Sequence, residues 1–414
     1  MRRRQVAALW IAIFVVAFGT NVPTPLLLVY RDLLGLSSEA LTGAFGVYAA
    51  GLVPALLLAG PASDRFGRRA VVVPFVVLSI VTSLLFLGAS SSVLVLFLGR
   101  FLQGAVSGVV FSVGTAWLGE LDGDPARSAR WTTAALGGGW AIGPLVSGLM
   151  AQWLPLPTVL PYLVHVALML VGLALLPRVP ETLAPADRRA GLAPPTPGLL
   201  RRPFRPQQWI NLGVPRGARI PFLVVVAPVA IGVFTFPSTA VTVLPLLLTP
   251  SMPQIAVAIT GLVAGVTLLT GVFAQPLGRR LGYVTAGPTG LAVGAAGFGL
   301  SLLGVASGAW PLLVPVALLL GVGYGLCLAA GLTMVGELAS PTARGALTGT
   351  FYACAYLGFG VPLLLSVAGG DAGFTGPLAG LAVVIAVYAA VLALPAARRL
   401  VSGSPARVSQ PGAT

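Results

Sequence analysis

Lysine is absent from this chain of 414 residues: all 24 of its basic residues are arginine. Without lysine there is no P-loop cation for nucleotide phosphates and no amine for a Schiff base, which excludes an ATP-driven pump of that design. Histidine occurs once, at His165, and cysteine twice, at Cys327 and Cys354, both in apolar runs. That set is too small for a metal cage or a disulfide framework, so no metal and no cofactor are expected, and both cysteines read as core packing. An enzyme would need converging nucleophile, base or metal ligands, and little is left to build them from. Charge is scarce as well: 8% of residues are charged, against roughly 25% in soluble domains. With 57% hydrophobic residues and a mean hydropathy of +0.97, the composition is that of an integral membrane protein.

What the chain does contain is a series of apolar segments long enough to cross a bilayer, which takes about 20 residues. They lie near 6–30, 41–60, 70–89, 93–118, 130–152, 158–177, 220–248, 254–277, 283–305, 311–336, 344–366 and 376–396, six on each side of one polar segment. Arginine placement then sets the orientation. With a cytoplasmic N-terminus, 22 of the 24 arginines fall inside, leaving Arg31 outside and Arg100 within a span. An odd number of spans in either half would break that pattern. The net charge of +14 is therefore a topology signal, and arginines dispersed over short loops do not make a nucleic-acid surface. The opening apolar run outlasts a signal-peptide core and further spans follow it, so it reads as the first span.

Segment 178–219 carries eight arginines and many prolines at the midpoint of the chain. It reads as a cytoplasmic linker, part of it resting on anionic headgroups. The expected division is a six-helix bundle over 1–177, the linker over 178–219, a second six-helix bundle over 220–396 and a cytoplasmic tail over 397–414. Trp10, Trp153 and Trp310, near span ends, read as interfacial anchors.

The two halves repeat. "GELDGDPAR" at 119–127 and "GELASPTAR" at 336–344 align at an offset of 217, which places Gly104 and Gly108 on Gly321 and Gly325, Ser112 on Ala329 and Ala116 on Thr333. Positions spaced by four share one helix face, and small residues there let backbones approach closely in lipid. "GPASDRFGRR" (60–69), between spans 2 and 3, resembles the G-x-x-x-D-R-x-G-R-[RK] signature of the major facilitator superfamily, with a second-half echo in "QPLGRRLG" (275–282). "RFLQG" (100–104) is similar to that family's fourth-helix arginine motif. "GGGWAIGPLVSG" (137–148) is similar to the fifth-helix pattern of its twelve-helix drug:proton antiporter group, with Ser147 in place of one glycine. The resemblance implies an all-α membrane fold of twelve helices in two pseudo-symmetric bundles, with a substrate site near the midplane and rocking of one half against the other.

Several residues stand out on that frame. Gly60 and Gly67 permit a tight turn, and Asp64, Arg65 and Arg68 together with Glu120 and Arg127 suggest an ion network. The resemblance implies that Asp64 faces the start of the eleventh helix at Ser340-Pro341, making a cytoplasmic gate that forms in one state and breaks in the other; a merely topogenic basic loop is the alternative. Span 5 presents Gly139 and Gly143 with Ala135, Ser147 and Ala151 at spacing four, with Pro144 and Gly148 beside them. This smooth face suits either generic packing or, as the resemblance implies, an antiporter-type seal against the other half. Pro23 and Pro25 break span 1 near Asn21 and Thr24.

His165 lies mid-span, where it could relay protons or sit neutral on a backbone carbonyl. Arg100 could snorkel to the outer surface, or face the cavity as a fixed charge. The second reading is favoured, because the aligned position is Ala317 and packing in that stripe needs no charge. The depths of Asn21, Gln103, Tyr48, Trp140, Phe234 and Tyr352 suit a cavity lining, and aromatic walls with few charges favour a lipophilic or amphipathic solute.

The expected protein is a monomeric secondary transporter of the bacterial plasma membrane with both termini in the cytoplasm. It would exchange protons for a small-molecule substrate in efflux. A uniporter or importer of a small metabolite is the alternative, supported by the lack of an acid in span 1.

Overall fold

The computed structural model describes residues 2–183, 214–338 and 344–395. Among these residues twelve helices are long and apolar enough to cross a membrane. They are α1 (Arg2–Leu34), α2 (Ser38–Phe66), α3 (Arg68–Gly88), α4 (Val93–Asp122), α5 (Pro125–Trp153) and α6 (Leu160–Arg178), then α7 (Arg219–Ser251), α8 (Ala256–Leu281), α9 (Tyr283–Ser307), α10 (Trp310–Leu338), α11 (Leu347–Ala372) and α12 (Thr375–Ala393). Each falls on one of the twelve apolar segments, and most run a few residues further at one or both ends. The reason is that polar caps rather than the last apolar residue stop the backbone ladder. Ser37 and Ser92 accept N–H groups at the starts of α2 and α4, and Asp124 does so for α5 ahead of Pro125.

The chain divides into two compact units. Among the described residues, the first holds α1 to α6 together with residues 252–265, and the second holds residues 214–251, 266–338 and 344–395.

Inside each unit the aligned glycines do the same work. A Cβ on Gly104 would collide with the Tyr48 carbonyl, and one on Gly108 would lie 2.5 Å from the Leu52 carbonyl, so α4 packs backbone to backbone on α2. In the second unit a Cβ on Gly321 would lie 2.5 Å from the Thr267 carbonyl, and one on Gly325 would meet Gly271, so α10 packs on α8 in the same way. The stripes then part. A π-helical turn over Val110–Gly114 inserts into α4, whereas α10 stays α-helical and carries its stripe on to Ala329 against Gly278.

Two expectations change here. Gly60 is not part of the turn: α2 remains helical past it to Phe66, and a Cβ there would meet open space. The turn falls on Gly67 alone, at φ 101°, and its counterpart between α8 and α9 is Gly282 at φ 74°. In α5, Gly139 and Gly143 face α1 of their own unit rather than the other half. A Cβ on Gly139 would stand 2.5 Å from the Phe14 carbonyl, and one on Gly143 would strike that of Phe18. Pro144 and Gly148, one position round the helix, meet Val257 and Gly261.

Candidate functional site

The break in α1 organises the polar interior of the first unit. Pro23 has no N–H to give the Gly19 carbonyl four residues back, and the α-helix is interrupted at Val22. The Gly19 carbonyl is met twice: the Val22 N–H bonds back to it within the tightened turn (3.2 Å), and Gln103 of α4 adds a second donor, its Nε2 lying 2.6 Å from the same oxygen. Arg100, one turn earlier on α4, donates from Nη1 to the Thr20 carbonyl (3.2 Å) and to Gln103 Oε1 (2.6 Å), and from Nε to the Ala44 carbonyl of α2 (3.3 Å). Its guanidinium carbon also sits 4.7 Å from the centre of the Tyr48 ring and 5.1 Å from that of Phe45. Such cation–π contacts are worth about 2 kcal/mol when desolvated.

Arg100 is 1% exposed. It therefore neither snorkels to the surface nor opens onto a cavity, but ties α1, α2 and α4 together inside the unit. Tyr48 and Gln103, expected as cavity lining, are its buried partners. Close by, the Thr20 and Ser107 hydroxyls bond to each other at 3.0 Å. Asn21 donates to the Trp140 carbonyl (3.3 Å), and the Trp140 ring meets Phe111 edge-on.

His165 of α6 packs on the other side of the same break. Gly19 leaves the space its ring occupies, since a Cβ there would overlap the imidazole. Nε2 lies 3.2 Å from the Val15 carbonyl and Nδ1 2.6 Å from the Ser83 hydroxyl. A carbonyl only accepts, so these partners assign the proton to Nε2 and let Ser83 donate to Nδ1, which satisfies a neutral ring completely. A chamber of about 10 Å³, room for one water, separates His165 from Gln103, Thr20, Ser79 and Thr82. His165 and Arg100 are thus neighbours across Gly19 and Thr20, a closeness that positions 65 apart in sequence do not announce.

A second cluster lies at the arginine-rich ends of the first unit's helices. Arg68 bridges Asp64 (2.6 Å) and Glu120 (2.9 Å) and also donates to Ser63. Arg65 lies over the Phe66 ring. Arg127 does not join this network: it turns to Asp122, with Nε 2.8 Å from both carboxylate oxygens. Glu181, which nothing in the motif singled out, completes it. Its two oxygens accept the backbone N–H groups of Arg68 (3.1 Å) and Arg69 (3.0 Å), capping α3 from the segment read as linker. Thr182 bonds to Glu120, and Trp117 donates to the Pro180 carbonyl (3.0 Å). The one available signal was an acid directly after a proline in an arginine-rich stretch. The expected partner of Asp64 at Ser340-Pro341 lies outside the described residues. Beside the cluster, the N–H of Arg127, then that of Ala126 and the charges of Arg127 and Arg130 hold the Asp124 carboxyl below its usual range.

In the second unit Phe234 stacks on Tyr356 (5.0 Å between ring centres) and on Phe359 (4.8 Å), with Tyr324 at 6.5 Å. Tyr352 joins through Tyr356 at 6.4 Å. Phe234 and Tyr352, the two of the four expected cavity-wall aromatics that lie in this unit, are thus parts of one ring cluster. No acidic side chain belongs to it among the described residues, since the acids of that unit, Glu337 and Asp371, lie exposed at helix ends.

The sequence profile described as Major Facilitator Superfamily matches residues 9–293. Over 95 residues the chain is 41% identical to the multidrug resistance protein MdtL of Escherichia coli O157:H7, and 40% identical to that of Shigella boydii serotype 18. Each match spans 23% of this chain and 24% of the relative's length. Among solved structures, a point variant of the peptide transporter POT with bound sulfate superposes at a TM-score of 0.75, with 16% identity and 95% of both chains covered. A variant of the nucleoside transporter NupG superposes at 0.71, with 13% identity over 94% of this chain and all of that one. At such identities these structures speak to the fold.

Proposed function

The chain belongs to the Major Facilitator Superfamily, and from that premise we propose that it exports small lipophilic or amphipathic compounds in exchange for protons, by alternating access. The observation that carries this reading is the make-up of the span interiors. Among the described residues their ionisable groups are Arg100, His165, tyrosines and cysteines, with no carboxylate, and the second unit offers stacked rings. Rings without a fixed counter-charge suit flat apolar solutes better than sugars or dianions. The partial likeness to proteins named for multidrug resistance points the same way.

In this reading His165 is the proton carrier and Arg100 biases it. Arg100 holds the Thr20 carbonyl while His165 packs against Gly19, so a rearrangement at the α1 break moves the surroundings of both groups together. The Arg68–Asp64–Glu120 cluster, with Glu181 on the α3 backbone, holds the cytoplasmic ends together in one state and releases them in the other. In the same reading the membrane is a bacterial plasma membrane, and the arginine distribution supports a cytoplasmic side for both termini.

A second reading, a uniporter or importer of a small metabolite, draws on the same lack of a carboxylate. A satisfied, neutral His165 need carry no proton at all. Energised inside-out vesicles with a pH-sensitive dye separate the two. Addition of lipophilic cations and antibiotics releases lumenal protons if the protein is an exchanger. Substrate movement without proton flux rejects exchange and selects the uniporter.

A further inference from the structure

At the arginine-rich ends of the first unit a groove of about 660 Å³ runs between the first turns of α1 and α5. Arg2, Arg3 and Arg127 form its rim, and Val6, Trp10 and Trp131 its floor. The order of chemistry along it is graded. Trp10 lies eight residues beyond Arg2, about 12 Å deeper at 1.5 Å per residue, and Trp131 lies about 6 Å beyond Arg127. Guanidinium groups therefore sit at headgroup level, with indole rings at the boundary of the hydrocarbon.

The indoles are fixed in place. Trp10 Nε1 donates to the Trp131 carbonyl (2.9 Å), its ring stacks on Phe14 (5.2 Å) and meets Trp131 edge-on at 6.4 Å. Arg2 is held too, with Nε 2.6 Å from the Leu121 carbonyl at the end of α4. The one acid in the lining, Asp122, is 5% exposed and its oxygens are taken up by Arg127. The rim thus keeps a net charge of two positive. Arg3 is exposed and has no ion-pair partner among the described residues.

We propose that this groove binds an anionic phospholipid, the arginines taking its phosphodiester and the tryptophans the first part of its acyl chains. A soluble polyanion would use the rim but has no need of a floor that descends through two indoles. A zwitterionic lipid would fill the floor but leave the rim's charge unanswered.

The test uses the purified full chain in phosphatidylcholine nanodiscs containing phosphatidylglycerol with brominated acyl chains, which quench tryptophan on contact. Quenching should saturate at a low mole fraction of phosphatidylglycerol, whereas brominated phosphatidylcholine quenches only in proportion to its amount. The Trp10→Phe/Trp131→Phe double variant should lose most of the saturable part, and each single variant a share of it. Arg3→Gln should raise the half-saturating fraction about fivefold, the usual weight of one surface arginine, and added salt should act in the same direction. Equal quenching by the two lipids would overturn the proposal, as would an unchanged Arg3→Gln titration. Displacement of the lipid by millimolar inorganic phosphate would instead make this a soluble-anion site.

Discussion

Arg100 shows how a single costly residue is accommodated. Removing a guanidinium from water is expensive unless its donors and charge are met nearly completely. Here two backbone carbonyls, an amide and two aromatic faces meet them, and no acid takes part. The planar fork is what allows one group to reach α1, α2 and α4 at once. Arg100→Ala is expected to abolish coupled transport in proteoliposomes while the protein still inserts and elutes as a folded species. Arg100→Lys should lose at least about tenfold, because an ammonium cannot replace two charge-assisted bonds of ~1.5–3 kcal/mol with the same geometry. Full transport by the lysine variant would show that charge alone is enough. The arginine is conspicuous in the sequence. Its partners are not, since backbone carbonyls leave no mark on the amino-acid order.

Among elements, the proline break in α1 and the glycine contacts of α4 and α10 show sequence dictating how helices meet. Gly104 has no room for a side chain, because a Cβ would run into the Tyr48 backbone, which cannot step aside as a flexible side chain could. Gly104→Ala should therefore cost about 1–3 kcal/mol through overpacking, seen as a lower melting temperature in detergent. Gly60→Ala, with open space around it inside α2, should be neutral or gain up to about 1 kcal/mol from helix propensity. A comparable loss in both variants would mean that Gly60 is needed for something other than packing. The repeat at an offset of 217 marks the contact glycines in the amino-acid order itself, because close helix approach demands a small residue at every fourth position. It carries no sign of the π-helical turn that breaks one stripe and spares the other, nor of the service that Gly139 and Gly143 give to α1.

At the scale of the molecule, the arginine distribution makes a prediction about sidedness. Cys327 is buried and Cys354 is half-buried, so a background with both replaced by alanine is the starting point. In that background Ala126→Cys, at the exposed start of α5, should react with an impermeant maleimide only in inside-out vesicles. Ser91→Cys, in the exposed turn before α4, should react only from the opposite side. The reverse pattern would invert the topology and with it the cytoplasmic assignment of the Arg68 cluster.

The sequence by itself determined the class of molecule, the twelve spans, the repeat and the positions where charge is out of place. Each of these follows from local composition and from the thickness of a bilayer, which act on the chain segment by segment. Tertiary structure decided which partners answer those charges. Arg127 goes to Asp122, Glu181 arrives from beyond α6 to cap α3, and His165 comes to rest on Gly19 beside the Arg100 node. Hydrogen bonding and close packing are met by whatever group the fold brings within about 3 Å, and that proximity exists only once the helices have packed.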